Sequence, residues 1–285
     1  MTEDLSKLVN LLKFRGCSDY TIGNYVSSIN RFKNYYEGKD IENFNEDDIV
    51  DYLINNFINL GKKPATVNMN RAAIKYYYIV NFGKEFNDKL LPGCKLDKRY
   101  PKVLSNDDIM FLINNTKNLK HKVWLCLGYG SGLRVSEIAL LKISDFSYRN
   151  KKIRVIGKGN KERFTVFPDY THEMLLEYYG KYKNKIIASG GYLFPSVRSD
   201  FDNEHISIQV IKYFFAGIKK KYNLDSTMTF HTLRHSFATE FIKNGGDIWE
   251  LKNLLGHSSI GYTMIYIHMA NNFNNLCSPI DRNRK

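Results

Sequence analysis

The sequence predicts a mainly α chain of two domains, the second carrying a small antiparallel sheet. Apolar residues recur at helical spacing on both sides of LPGCKLDKRYPKVL, residues 91–104, a basic stretch with two prolines, a glycine and no apolar period. One segment, KKIRVIGKGNKERFTVF at 151–167, instead has two β-like runs around a Gly/Asn/Lys-rich turn. A length of 285 residues also favours two modest cores.

Residues 1–92 form the first expected domain, a set of short helical blocks separated by turn-like stretches at GCSD, EGKDIENFNEDD and LGKKPAT. In the block from Asp19, Tyr20, Ile22, Tyr25, Val26, Ile29 and Phe32 share one face, with Ser18 or Asp19 as N-cap. A later block from Ala65 carries Val67, Met69, Ala73, Ile74, Tyr77 and Tyr78 as its core stripe. The opposite faces offer Lys33, Asn68, Arg71 and Lys75 to phosphates or base edges, and Lys62 and Lys63 extend these into a basic strip. Residues 93–101 read as the linker. The second domain, 102–285, opens with a helix start at Ser105-Asn106-Asp107-Asp108, and its hairpin pairs Lys152–Ile156 with Arg163–Phe167.

The formal charge of +13 points to a polyanionic partner, and it is unevenly placed. Residues 1–92 hold 12 Lys and Arg against 12 Asp and Glu, so the whole excess lies beyond them. No apolar run is long enough to cross a bilayer, and MTEDLSKLVN lacks the order of a secretory signal, so the expected location is cytoplasmic, beside the nucleoid. Cys17, Cys94, Cys126 and Cys277 make no metal-ligand spacing and read as reduced thiols. With no carboxylate cluster for a metal pair and neither GxGxxG nor GxxxxGK[ST], no metal and no cofactor is expected.

Arg134 and Glu137, in GLRVSE, lie three apart, so that the arginine can hold a phosphate while the glutamate fixes it from behind. Lys158 sits between two glycines at the hairpin tip, placed to enter a DNA groove, with Lys161 and Arg163 following. In FHTLRHSFATEF, His231 and Arg234 again lie three apart, and an arginine fork matches two phosphate oxygens while an imidazole donates or accepts beside it. The adjacent His235 reads as a core or supporting histidine. LLGHSSIGYTMIYIH then supplies His257 and, nine residues on, Tyr266.

In order and spacing, GLRVSE, VIGKGNKER, HTLRHSFAT, LGHSS and the IY at Tyr266 resemble the tyrosine recombinase family, especially short integrases of the Xer type. The resemblance covers most of residues 128–268. It implies Tyr266 as the nucleophile, Arg134, Arg234 and His257 stabilising the phosphorane, Lys158 as general acid, His231 as base or shared donor, and Glu137 as support. It further implies that residues 1–92 are a SAM-like core-binding clamp, that double-stranded DNA with paired half-sites is the partner, and that a homotetramer forms by exchange of the C-terminal segment. Tyr262 stands where relatives carry a small hydroxyl and is the rival nucleophile. A type IB topoisomerase and a non-catalytic DNA-binding protein are the alternative readings.

Overall fold

The computed structural model describes residues 3–96, 100–157, 161–196 and 204–270. Contacts divide the chain into two compact units, Met1–Arg99 and Tyr100–Lys285.

In the first unit, α1 (Glu3–Phe14), α2 (Asp19–Tyr35), α3 (Glu46–Leu53) and α4 (Pro64–Phe82) enclose an aromatic core. Local chemistry sets the helix ends. Ser18 caps α2 by accepting from the Thr21 amide, and Asn45 and Asp48 form a capping box at α3. The acidic end of the stretch read as a turn therefore starts a helix. Pro64 opens α4, and left-handed Gly83 closes it. Phe32, wholly buried, meets Tyr52 edge-on at 5.0 Å and Tyr36 at 5.4 Å. The expected stripes are buried or half-buried with one exception: Tyr20, at the start of α2, is 80% exposed.

Four of the residues expected to face DNA have partners within this unit. Asn68 pairs both ways with Cys94, its Nδ2 donating to the carbonyl at 2.9 Å and its Oδ1 accepting the amide at 2.7 Å. Arg71 donates from Nε to the Leu91 carbonyl at 2.7 Å and pairs with Asp88, which Lys75 also reaches at 2.6 Å. These side chains staple residues 88–94 onto α4. Lys33 is likewise bound to Asp4, at 2.7 Å. Helical periodicity identifies the face they occupy, but it cannot show that the chain folds back over it. Lys62 and Lys63 remain exposed.

The second unit is built on α5 (Asn106–Asn114), α6 (Leu119–Gly130), α7 (Val135–Leu140), a three-stranded sheet, α8 (Asp169–Ala188), α9 (Ile208–Lys221), α10 (His231–Lys243), α11 (Ile248–Leu255) and α12 (Gly261–Ala270). Ser105 and Asp108 form the capping box of α5. The sheet is antiparallel in the order β1 (Phe146–Ser147), β2 (Lys152–Ile156), β3 (Glu162–Val166), with Ile153 opposite Thr165 and Val155 opposite Arg163. It thus adds a two-residue strand to the expected hairpin, and its last strand starts one residue earlier than expected. Trp124, Leu125, Leu127, Ile153, Leu175, Phe194 and Leu233 are wholly buried in the main core. A smaller cluster gathers Ala238, Leu251, Leu255 and Tyr266 where α10, α11 and α12 meet. Among the described residues no helix is long and apolar enough to cross a membrane.

Candidate active site

Glu137 organises the site. It occupies the first turn of α7, and its carboxylate accepts from the Arg134 amide at 2.8 Å and from the Arg134 guanidinium at 2.8 Å. It also takes both arms of Arg163, at 2.7 and 2.9 Å, and lies 3.7 Å from Arg234. Burial alone would raise this carboxyl's pKa, but Arg163, the Arg134 amide and Arg234 outweigh it, so the net shift is downward. The pair expected on one helix face is thus a cap, with Arg134 preceding the helix and Glu137 inside it.

Arg163, expected to contact DNA, points inward with only 9% of its side chain exposed, and its Nε donates to the Leu254 carbonyl at 2.8 Å. Strand alternation leaves the choice of face open, and the buried carboxylate decides it. Arg234 is wholly buried on α10, its Nη1 donating to the Gly132 carbonyl at 2.8 Å and its Nη2 to the Leu255 carbonyl at 2.5 Å. Both carbonyls from α11 belong to its last turn, where oxygens lack helical partners and carry partial negative charge. Left-handed Gly256 (φ 64°) ends that helix, and a Cβ there would sit 2.7 Å from the Arg163 Cδ. Burial, then Arg134, lower the Arg234 pKa to about 9, which leaves it protonated at neutral pH. Its Nε is buried and has no acceptor among the described residues.

The histidines and Tyr266 line the same region. The Tyr266 ring is 2% exposed, and its hydroxyl lies 2.8 Å from the His235 Nδ1. His231 stands one turn before His235, their rings perpendicular at 4.6 Å. The His257 ring runs nearly parallel to that of Tyr266 with centres 6.4 Å apart, while its Nδ1 meets the buried Thr263 hydroxyl at 2.9 Å. Burial raises the Tyr266 pKa, and Arg234 and Arg134 oppose that rise. Tyr262 is 67% exposed, also with its ring 6.4 Å from that of His257. His235, read from the sequence as a core or supporting residue, is therefore the one in hydrogen-bond contact with the phenol. The missed signal was the spacing of four between His231 and His235, which puts both on one helix face.

Arg134, Glu137, His231, Arg234, His257 and Tyr266 thus converge. Lys158 lies outside the described residues, and Lys161 is exposed at the sheet's tip. Three guanidinium groups around one carboxylate leave a net positive site, suited to an anion. Among the described residues no three His, Cys, Asp or Glu side chains gather as a metal site.

Burial first, then Arg234, holds His235 and His257 neutral down to about 4 from an ordinary 6.5. The folded state therefore binds fewer protons than the unfolded chain between these values, and stability falls as pH drops through that window. DNA-free protein is expected to lose about 2–4 kcal/mol between pH 7.5 and 5 from these two groups. His231 sits at the exposed start of α10, where water screens its share, so it adds little to this figure. Urea midpoints at the two pH values check this; equal midpoints would contradict it.

Residues 102–272 match the phage integrase family, and residues 5–88 match its N-terminal SAM-like domain. The chain belongs to the phage integrase family. It is accordingly a tyrosine recombinase, an enzyme that cleaves and rejoins DNA strands. The tyrosine recombinase XerD of Staphylococcus epidermidis is 29% identical over 95% of each chain, and that of Listeria monocytogenes is 31% identical over 91% of each. The crystal structure of XerA recombinase is 25% identical with a TM-score of 0.53, covering 99% of this chain and 97% of its own. XerH recombinase bound to palindromic difH substrate shares the fold at 19% identity and a TM-score of 0.76, over 91% of this chain and 79% of its own.

Proposed function

We propose that this integrase-family chain performs site-specific recombination with Tyr266 as nucleophile, through a 3′-phosphotyrosine intermediate and a Holliday junction. The observation that carries the reading is the Tyr266 hydroxyl held 2.8 Å from His235 and within the field of its chain neighbour, the buried Arg234, whose Nε has no acceptor among the described residues. As the phenol oxygen bonds to phosphorus, charge grows on the non-bridging oxygens, and prepositioned Arg134, Arg234 and His257 stabilise that state more than the ground state. Glu137 keeps the guanidinium groups in place beforehand, so little reorganisation remains at the moment of attack. Lys158 is assigned the proton for the departing 5′ oxygen. The phosphotyrosine conserves the energy of the broken bond, and a 5′ hydroxyl from another strand reverses the step without ATP.

The experiment is selection of bound DNA from a random pool, then trapping of adducts on nicked versions of the winners and peptide mapping of the linkage. A phosphotyrosine at residue 266 is expected. An adduct elsewhere, or none, would remove the assignment.

Recombination is favoured over topoisomerase-like relaxation because the similarity to recombinases named XerD runs through both units. Binding is assigned to double-stranded DNA with paired half-sites. Lys62, Lys63 and Lys161, all exposed, are proposed as backbone contacts. Changing Lys62 and Lys63 together should weaken binding and flatten its salt dependence by about one to two units of slope. A full parental slope would show that neither lysine meets a phosphate.

The assembly is proposed to be a tetramer joined by exchange of the C-terminal segment, where Met269, Phe273 and Leu276 recur at helical spacing. Residues beyond 270 lie outside the described part. Truncation after Asn271 is expected to preserve single half-site binding and to eliminate cooperative full-site binding and recombination. Parental recombination by the truncated chain would rule out exchange.

A further inference from the structure

We propose that His235 is a catalytic residue, the group that takes the proton from the Tyr266 hydroxyl as that oxygen attacks phosphorus. The inference rests on the reading of Tyr266 as nucleophile. His231, His235 and His257 lie in this region, and their geometry separates them. The His235 Nδ1 is 2.8 Å from the Tyr266 oxygen, within reach of direct proton transfer. The His257 Nδ1 is occupied by Thr263, and its ring centre stands 6.4 Å from that of Tyr266, with the two planes 17° from parallel. His231 is at the exposed start of α10, and its ring contact is with His235.

At neutral pH His235 is uncharged, through burial first and Arg234 second, so its Nδ1 can offer a lone pair to the phenol O–H while Nε2 carries the ring hydrogen. With the hydrogen held there, the remaining lone pairs of the Tyr266 oxygen are free to meet phosphorus. In the reaction the proton passes from the Tyr266 oxygen to Nδ1, the oxygen–phosphorus bond forms, the bond from phosphorus to the 5′ oxygen breaks, and that oxygen takes its proton from a separate donor. A low pKa makes His235 a weak base in the DNA-free protein. The negative phosphate beside Arg234 offsets the arginine's field and raises the imidazole's affinity for a proton when DNA is bound. On rejoining, the same nitrogen returns the proton to Tyr266.

Single-turnover cleavage of a nicked half-site at saturating protein tests this. In His235→Asn the amide oxygen can still accept the Tyr266 hydrogen bond but cannot carry the proton away. Cleavage should slow by about 100-fold while half-site affinity stays within about twofold. Replacing Tyr266 with a fluorinated tyrosine, whose phenol ionises more readily, should recover about tenfold in the variant and change the parental rate little. Cleavage within about threefold of parental, or no selective recovery, would overturn the proposal. Loss of half-site binding in both His235→Asn and His235→Gln would also overturn it, because the side chain would then act on the fold. An adduct mapped away from residue 266 in the parental protein would instead sink the nucleophile reading itself.

Discussion

Tyr266→Phe is expected to abolish covalent adducts while leaving half-site binding within about twofold of parental. The ring packs with Ala238, Leu251 and Leu255 in the small cluster joining α10, α11 and α12, and phenylalanine fills that space equally well. What disappears is the attacking oxygen and one hydrogen bond to His235, worth about 1 kcal/mol to the fold. Tyr262→Phe should keep adduct formation. Its ring is as near His257 as that of Tyr266, but it is 67% exposed, whereas Tyr266 lies among the buried groups. Denaturing gels of nicked half-sites, run with both variants, decide the matter. Adducts persisting in Tyr266→Phe and vanishing in Tyr262→Phe would transfer the chemistry to Tyr262.

The helical periods and the hairpin were legible because a buried face leaves a repeating trace in the sequence. Ile29 and Phe32 in α2, and Ile74 and Tyr78 in α4, are wholly buried as that trace predicts. Local caps were legible for a similar reason: Ser105 and Asp108 act within one turn. What stayed hidden depends on pairing across long separations. Arg71 and Lys75 look like free cations until Asp88, more than ten residues on, comes back over α4. Arg163 looks like a surface arginine until Glu137, 26 residues earlier, is placed beneath it. His235 stands beside Arg234 in the sequence and four residues after His231, yet Tyr266, 31 residues later, is what gives it a partner.

Glu137→Gln is expected to have the largest effect on stability of any single change in the site. The parental carboxylate takes two bonds from Arg163 and two from Arg134 and faces the wholly buried Arg234 at 3.7 Å. An amide fills the same volume but carries no charge, so guanidinium groups already out of water lose their common counter-ion. Breaking a buried pair from one side typically costs about 3–5 kcal/mol. For a catalytic unit of this size that corresponds to a fall in melting temperature of roughly 10 °C. Coulombic repulsion would act first on Arg163 and Arg234, whose remaining partners are neutral carbonyls of Leu254, Leu255 and Gly132. A double-mutant cycle separates the loss of charge from mere misfit. Adding Arg163→Met to Glu137→Gln removes the uncompensated cation with an apolar chain of similar length, and should return a sizeable part of the lost stability. Cleavage should stay slow in the double variant, because Arg134 and Arg234 still lack the carboxylate that positions them. Stability of Glu137→Gln within about 1 kcal/mol of parental, or strictly additive effects in the cycle, would show that the three arginines hold their places without Glu137.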